Sequence, residues 1–424
     1  MVKFAHLADC HLGAFSRRPL LREYNMKAFE KAIETCMERK VDFIIIAGDL
    51  FHNPMPDMDI VNKAVKVLMK VKNRGISIYS VYGSHDYNLA RASLIDVLES
   101  AELFKNVVTF LESDNRLTTI RDPSGVSLTG LGGRKNRLEK GYYQQLDIDV
   151  PEGEGIFVFH SPIAEMKPAD IPEKNVLPMS FLPEGYSYYA GGHIHRPLTD
   201  KKDGSYVIYP GTTFGSSYTD LEKESQRGFY IVDDWEPEYV PLEVCDIAKV
   251  TVNAQGHTSS EVEDILIKKG EKSQEGDVIL LKVHGKLLEG SPEDIDFSRI
   301  IRLFEREGDA TVFLNRNSLE KVTLDKVKID ERREEEVEKR VMEEYGTPEG
   351  ISKEFAADLL KALKSDKKEG ETTADYENRI WNQASALMEE IKESPPKSLV
   401  KEEKKGGKNQ PRQITLVDYR GGGK

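Results

Sequence analysis

The hydrophobic pattern of residues 1–235 alternates between short apolar runs and longer segments with apolar positions every three or four residues. Short runs of this kind are typical of buried β-strands, and the longer segments are typical of amphipathic α-helices. The pattern predicts strands at residues 2–8, 41–47, 76–82, 156–159 and 186–190. It predicts helices at residues 24–39, 58–71 and 92–104. Strands that alternate with helices favour an α/β domain with parallel strand pairing.

The pattern changes after residue 235. Two strands at residues 248–252 and 277–283, with helices at 259–268 and near 296–307, predict a small α+β domain over residues 236–325. Nothing in its residues indicates a chemistry. Residues 326–346 carry many charges and few apolar positions, which predicts a solvated helix or a linker.

Two amphipathic segments follow within residues 347–394, and their aromatic residues are Phe355, Tyr376 and Trp381. A helix pair of this length has little core of its own. It either docks in a groove on a partner or packs back on its own protein. Residues 395–424 are rich in Lys and Gly, a composition that predicts disorder.

Composition narrows the class of protein. The chain has 424 residues, which is more than one ordinary core and predicts two or three domains. Its three cysteines show no paired or metal-ligand spacing, as expected in a reducing compartment. No apolar run approaches the length of a transmembrane helix, and the first residues already enter a strand, so we expect no signal peptide. These features predict a soluble, cytoplasmic protein with no membrane partner.

The net charge of −13 at pH 7 argues mildly against a nucleic-acid partner, because phosphate neutralisation dominates DNA affinity. A local basic face would be enough to overcome this objection. Two patches could supply it, and each is equally well explained as solvated surface charge. They consist of Arg17, Arg18 and Arg22, and of Arg134, Lys135 and Arg137.

The candidate chemistry lies in five short signatures, of which four directly follow a predicted strand and the fifth comes shortly after one. Six of the nine histidines belong to them. The signatures are Asp9-Cys10-His11, Gly48-Asp49-Leu50-Phe51-His52, Gly83-Ser84-His85-Asp86, Phe159-His160-Ser161 and Gly192-His193-Ile194-His195. A side chain at the carboxyl end of a buried strand is held by a stiff backbone and opens onto a crevice where ligands bind.

These residue types suit a centre of two divalent metal ions. Two ions about 3.5–4 Å apart can clamp a phosphodiester and activate water. Imidazole together with carboxylate suits Mn, Zn or Fe. Asp9 and His11 are two positions apart and can share one face, and Asp49 is well placed to bridge two ions. Cys10 between them is expected to point to the opposite face and pack. The alternative is that all five signatures are ordinary turns.

Taken together, the signatures resemble those of the calcineurin-like metallophosphoesterases. Residues 4–13, 48–52, 188–195 and 207–211 more narrowly resemble the DNA double-strand-break repair nucleases of the meiotic recombination eleven type, the SbcD-like nucleases. The resemblance covers residues 1–235 and extends to the rest only by layout. It implies an α/β/β/α metallophosphoesterase sandwich, a small α+β capping domain that orients DNA, and a C-terminal helical partner-binding region.

The resemblance also implies a role for each candidate residue, with Mn²⁺ as the favoured metal. One ion would be held by Asp9, His11, Asp49 and His195, and the second by Asp49, Ser84, His160 and His193.

Three more residues would take part in catalysis. His85 matches the family's acid or orienting histidine, Asp86 would fix the tautomer of its ring, and His52 would steer the DNA strand or the leaving group. One position departs from the family, which has Asn where this chain has Ser84. A hydroxyl is a shorter and weaker ligand than an amide oxygen, so the second metal site is altered.

The implied function is 3′→5′ exonuclease action on duplex DNA and endonuclease action on single strands during double-strand-break processing. An ABC-type coiled-coil repair ATPase would bind residues 347–394, and the protein would be nucleoid-associated. Helices near 58–71 and 92–104 would pair in a homodimer, unless their apolar stripes pack on their own sheet. The tail from Gln413 to Tyr419 resembles peptides that dock on sliding clamps.

Residue chemistry alone supports only a phosphoester hydrolase. Two other functions therefore stay open. One is a phosphodiesterase or phosphatase for small substrates or phosphoproteins, although such substrates would need neither a capping domain nor a helical tail. The other is a DNA-end-binding scaffold whose catalysis is weakened by Ser84.

Overall fold

The computed structural model describes residues 1–86, 93–111, 116–133, 143, 147–169, 171, 172, 176–223, 226–272, 276–305, 310–321, 353–368 and 371–393. The chain divides into two compact units, Met1–Val322 and Thr323–Lys424. Each unit is described by itself.

Two six-stranded sheets form the centre of the first unit. The strands of the first sheet, in spatial order, are β15 (Glu236–Pro241), β14 (Gly228–Asp233), β1 (Lys3–Leu7), β2 (Phe43–Ile46), β3 (Ser77–Ser80) and β4 (Lys105–Asn106). Those of the second are β12 (Pro197–Lys202), β13 (Ser205–Pro210), β11 (Tyr188–Gly192), β10 (Gly155–His160), β8 (Ser127–Leu131) and β7 (Ile120–Arg121). A third, small sheet contains β5 (Thr109–Leu111), β6 (Arg116–Thr118) and β9 (Asp147–Ile148).

The inner strands are parallel in both large sheets. Strands β1 to β4 run parallel, and so do β8, β10, β11 and β13. The antiparallel strands β7, β12, β14 and β15 are added beside them. Parallel strands buried on both faces are expected to read as continuous apolar runs, as these do. The predicted α/β class with parallel pairing is confirmed.

The two sheets pack face to face through aromatic and aliphatic side chains. Phe4 and Phe43 of the first sheet stack with ring centroids 5.2 Å apart, and Tyr188 of the second sheet meets Phe4 edge-on at the same distance. Helices α1 (Pro19–Glu38), α2 (Met58–Asn73) and α3 (Leu94–Ser100) cover the outer face of the first sheet. Among the described residues, the outer face of the second sheet is covered by loops and the 3₁₀ turn Met179–Phe181.

The apolar stripe of α2 packs on its own sheet, as in the simpler of the two predicted alternatives. Ile60, Ala64 and Leu68 are buried in this layer. Large apolar side chains are nevertheless exposed nearby, including Met58, which is 76% exposed, and Val97 of α3, which is 57% exposed. Packing on the protein's own sheet therefore accounts for the buried stripe of α2, whereas Met58 and Val97 are exposed.

The second module of the first unit is a three-stranded parallel sheet with two helices. It contains β16 (Ile247–Asn253), β17 (Val278–Lys286), β18 (Thr311–Glu320), α5 (Ser259–Glu271) and α6 (Phe297–Phe304), with the 3₁₀ turn Pro292–Asp294. Helix α4 (Tyr218–Lys223) precedes it, and an apolar cluster joins Leu21 and Leu221 to Val278. Strand β15 pairs with β14, so the first sheet continues six residues past the expected boundary at residue 235. Strand β18 was not predicted.

The second unit contains two described helices, α7 (Lys353–Leu363) and α8 (Thr373–Glu393). They contact each other, and Ala384 is buried, whereas Trp381 is 69% exposed. The predictions for the linker at 326–346, the disordered tail and the clamp-binding peptide lie outside the described residues. Within the described part of the chain, no helix has both the length and the apolar character needed to cross a membrane.

Candidate metal centre

The predicted ligands converge because the parallel strands of both sheets end at the same edge of the sandwich. Asp9 and His11 follow β1, Asp49 follows β2, and Ser84 follows β3. From the second sheet, His160 is the last residue of β10, and His193 and His195 follow β11.

Four of these residues have left-handed backbones, which bulky side chains rarely adopt. Asp9 has a φ of 50°, His11 of 44°, Asp49 of 52° and His193 of 91°. Such conformations cost about 1–3 kcal/mol each and persist only where the surrounding structure enforces them. Backbone hydrogen bonds between the loops after β1 and β2 supply that enforcement: Asp9 N–H donates to Gly48 O (3.1 Å) and His11 N–H to Asp49 O (2.9 Å).

One group of ligand atoms is formed by Asp9, His11 and His195, which lie within 4.8 Å of one another. The Nε2 atoms of His11 and His195 are 3.1 Å apart, and each lies 3.9 Å from Asp9 Oδ1. The other oxygen, Asp9 Oδ2, accepts the backbone N–H of His193 at 2.9 Å. Asp9 is therefore oriented by one oxygen and presents the other to the two rings.

A second group is formed by Asp9, Asp49 and His160, again within 4.8 Å. Asp49 Oδ2 lies 3.2 Å from His160 Nε2 and 3.9 Å from His11 Nε2. It therefore lies between the two groups of candidate ligand atoms. Ser84 Oγ donates to the same oxygen at 3.4 Å. The ring of His193 lies against that of His160, with centroids 5.2 Å apart.

Burial and neighbouring charge set the protonation of the site. Burial raises the pKa of Asp9 to about 6 and lowers the pKa of His193 to about 3. Burial also disfavours charge on Asp49 and His160, but their mutual attraction prevails, so the pKa of Asp49 is lowered and that of His160 is raised. The imidazoles offset the negative charge of the carboxylate between them, and a bound cation would take over that role.

The residues present fit divalent metal ions. Among the described residues, Asp9 Oδ1 is a buried oxygen with no hydrogen-bond partner. Leaving such atoms unpaired is costly unless a ligand satisfies them. His160 Nδ1 donates to Ala47 O at 2.8 Å, which leaves Nε2 facing Asp49 as the nitrogen available to a metal ion. The set of imidazole nitrogens and carboxylate oxygens suits Mn, Zn or Fe.

His85 borders the first group, and Asp86 has hydrogen-bond partners other than the His85 ring. The His85 ring meets that of His11 with centroids 4.9 Å apart, and its Nδ1 donates to His52 O at 2.8 Å. The Asp86 carboxylate instead accepts three backbone N–H groups, from Leu50, Phe51 and Gly83 at 3.1–3.3 Å. Asp86 therefore fastens the loops after β2 and β3, and the carbonyl of His52 orients His85.

His52 lies beside His85 with its ring nearly parallel. The ring centroids are 5.2 Å apart at an interplanar angle of 22°. One ring nitrogen of each lies within 4.8 Å of one of His11. The two histidines thus line one wall of the centre.

Asp220 on α4 was not predicted from the sequence. Its Oδ2 lies 3.1 Å from Nδ1 of His195. The spacing of Ser217 and Asp220 matches a capping box and could have marked a helix start. The contact with His195 depends on how the chain folds back, and no local signal indicates it.

The first predicted basic patch is largely used inside the molecule. Arg18 Nη1 donates to Val312 O at 2.9 Å, and its guanidinium lies 4.1 Å from the centroid of the Phe313 ring. Arg22 pairs with Asp57 at 2.9 Å. Arg18 therefore fastens the second module to the first domain, because the loop before α1 faces β18. The patch at residues 134–137 lies outside the described residues.

Comparisons with known proteins agree with this geometry. Residues 2–197 match the model of the calcineurin-like phosphoesterase family. The chain is 30% identical over 274 residues to the DNA double-strand break repair protein Mre11 of Archaeoglobus fulgidus, a match covering 59% of this chain and 61% of that protein. It is 27% identical over 317 residues to the Methanopyrus kandleri protein of the same name, covering 63% and 68%. With the Methanococcus maripaludis protein, identity is 28% over 250 residues, covering 55% and 63%. The chain thus spans roughly two thirds of the length of these relatives or less.

Proposed function

We propose that this chain, whose residues 2–197 match the model of the calcineurin-like phosphoesterase family, is a two-metal-dependent DNA nuclease that processes double-strand breaks. The observation that carries the proposal is the position of Asp49 Oδ2, within 4 Å of ring nitrogens from both ligand groups. The names of its relatives, DNA double-strand break repair proteins, support DNA as the substrate. The proposed activities are 3′→5′ exonuclease on duplex ends and endonuclease on single strands, with Mn²⁺ as the metal.

The chain's own residues would prepare the site as follows. Bound divalent ions would supply charge to the phosphoryl oxygens and an activated water. Asp49 would bridge the ions, Asp9, His11 and His195 would hold one, and His160, His193 and Ser84 would hold the other. The left-handed backbones of four of these residues keep the ligand atoms preorganised, so little rearrangement accompanies binding.

His85 is the proposed proton donor to the leaving 3′ oxygen. Because His52 O accepts a hydrogen bond from Nδ1, the ring is oriented and Nε2 is the nitrogen left to face the reacting atoms. His52 would contact the same strand, since its ring lies beside that of His85.

The proposed partners follow from apolar side chains that each unit leaves exposed. Met58 and Val97 would contribute to a homodimer through α2 and α3. Leu363, Trp381 and Met388 are exposed on α7 and α8 and would dock on an ABC-type coiled-coil ATPase. The sliding-clamp peptide from Gln413 to Tyr419 and nucleoid association stay predictions.

One observation favours a second candidate function. Ser84 donates its hydroxyl to Asp49, so it uses a lone pair of the bridging carboxylate and offers only one weak oxygen of its own. A weak second metal site would leave a DNA-end-binding scaffold with little catalysis.

The test is digestion of end-labelled duplex and single-stranded DNA with Mn²⁺. The variants are His85→Ala, Ser84→Asn and His257→Ala, the last as a control on the second module, where the side chain of His257 is 44% exposed. We expect the wild type and His257→Ala to cleave DNA. The rate of DNA cleavage by His85→Ala should be lower by about 10²–10⁴-fold, which is the usual contribution of a general acid.

Each other outcome points elsewhere. Cleavage by Ser84→Asn alone would favour the scaffold. Hydrolysis of a chromogenic phosphodiester without DNA cleavage would favour a small-substrate phosphodiesterase. Full activity of His85→Ala would remove the proposed proton donor.

A further inference from the structure

In the described part of the site, Asp220 is the one carboxylate that contacts a predicted metal ligand at the ring nitrogen that faces away from the metal centre. Its Oδ2 lies 3.1 Å from His195 Nδ1, and its side chain is mostly buried. The opposite nitrogen of the same ring, Nε2, lies 3.1 Å from His11 Nε2 and 3.9 Å from Asp9 Oδ1. A carboxylate acceptor at Nδ1 therefore fixes the ring so that Nε2 faces the metal centre.

The carboxylate is itself held in place. Asp220 Oδ2 accepts the backbone N–H of Ser216 at 2.8 Å, the Ser216 hydroxyl at 2.9 Å and the backbone N–H of Ser217 at 3.1 Å. In return, Asp220 N–H donates to Ser217 Oγ at 3.2 Å. An acceptor fastened by several donors has one orientation available, so it can impose that orientation on His195.

The helix that carries Asp220 is fastened by the second module. Tyr218 meets the ring of Phe313 edge-on, with centroids 5.0 Å apart. Glu222 Oε1 pairs with Lys282 Nζ at 2.7 Å. Residues on both sides of Asp220 in the helix thus contact the second module, which positions the carboxylate beside His195.

We propose that Asp220 is a positioning residue for the metal ligand His195: it fixes the orientation and tautomer of the ring and thereby raises the affinity of the centre for one metal ion. The proposal rests on the two-metal site of the proposed function. Removal of partners of this kind typically weakens metal binding by about 10–100-fold.

The experiment is a Mn²⁺ titration of the full chain in which electron paramagnetic resonance counts the free ion. Asp220→Asn keeps the size of the side chain and removes its charge. Asp203→Asn is the matched control, because the side chain of Asp203 is 76% exposed and pairs only with Lys202 among the described ion pairs. The thermal unfolding midpoint of each protein is measured without metal, so that a merely structural role is seen separately.

We expect Asp220→Asn to lower the affinity for one of two Mn²⁺ ions by about 10–100-fold. Asp203→Asn should bind both ions as the wild type does. Unchanged affinity in Asp220→Asn would overturn the proposal, even if its unfolding midpoint falls. If Asp220→Asn does not fold, Ser216→Ala takes its place, since it keeps the carboxylate and removes one donor. A smaller loss of affinity for the same ion is then expected, and no loss would overturn the proposal.

The proposed function can fail separately. Wild-type protein that binds two ions with the expected Asp220 effect, but cleaves no DNA, would refute the nuclease and leave this inference standing. Wild-type protein that binds no Mn²⁺ would refute both.

Discussion

Gly192 occupies a position where even one methyl group should disrupt the metal centre. It is the last residue of β11 and pairs in register with His160 of β10. A Cβ at this position would lie 1.9 Å from Ala47 O and 2.8 Å from His160 Nδ1. Real Cβ atoms essentially never approach another heavy atom within 3.0 Å. Gly192→Ala must therefore move β11 and β2 apart by about 1 Å, because the obstructing atom is backbone.

The cost has two sources. Overpacking of a rigid core costs about 1–3 kcal/mol. Ala47 O is also the acceptor of His160 Nδ1, at 2.8 Å. Separation of these atoms leaves a buried donor unsatisfied, at about 1–3 kcal/mol. We expect a total near 3 kcal/mol, which for a domain of this size lowers the unfolding midpoint by about 6–12 °C.

The assay combines thermal unfolding of the metal-free protein with the Mn²⁺ titration. Gly204→Ala is the control, because its Cβ meets nothing within 4 Å although its φ is +89°. It should cost about 1–2 kcal/mol through backbone strain and leave metal binding intact. If Gly192→Ala unfolds at the wild-type midpoint and binds Mn²⁺ normally, the close approach of β11 to β2 is not a requirement of the site.

Two further predictions concern the core between the sheets and the attachment of the second module. Burial lowers the pKa of His6 to about 3, and Tyr188 Oη lies 3.0 Å from its Nδ1. Because the unfolded chain binds the proton more readily, stability is complete above pH 6.5 and falls by up to about 1.4 kcal/mol per pH unit as pH decreases towards 3. His6→Gln should show a shallower decline in urea unfolding between these values, and an identical decline would contradict the assignment. Arg18→Ala should increase hydrogen exchange in residues 247–320 without changing the salt dependence of DNA binding. The same substitution at the exposed neighbour Arg17 is the control. A loss of DNA affinity in Arg18→Ala without faster hydrogen exchange would indicate that Arg18 contacts phosphate instead.

The convergence of the candidate ligands on one edge was predictable because each stands where an apolar run ends. A buried strand gives a strong signal in sequence, and its carboxyl end has a known place in an α/β sheet. The apolar runs alone are thus enough to assign Asp9, Asp49 and His160 to one edge. Their grouping into two metal sites came from family resemblance, since spacing alone does not reveal which strands are neighbours.

Residues that act through contacts between distant segments could not be predicted in the same way. Asp220 reaches His195 only because α4 folds back on the loop after β11. Asp86 was assigned to its sequence neighbour His85, but backbone N–H groups of the loop after β2 lie closer to its carboxylate. In the sequence, Arg18 resembles an ordinary surface charge, but β18 covers its side chain. That strand was not predicted because its second half is polar.

The division of the ligands between the two sheets has a consequence for the order of events during synthesis. Asp9, His11 and Asp49 leave the ribosome early, but His195 follows His11 by 184 residues. A nascent chain that ends before β11 still lacks His193 and His195, two of the seven candidate ligands, and contacts of such long sequence separation form late. The candidate centre is therefore complete only after β11 and the residues that follow it have been synthesised and have packed beside β10, so a shorter nascent chain lacks part of the ligand set.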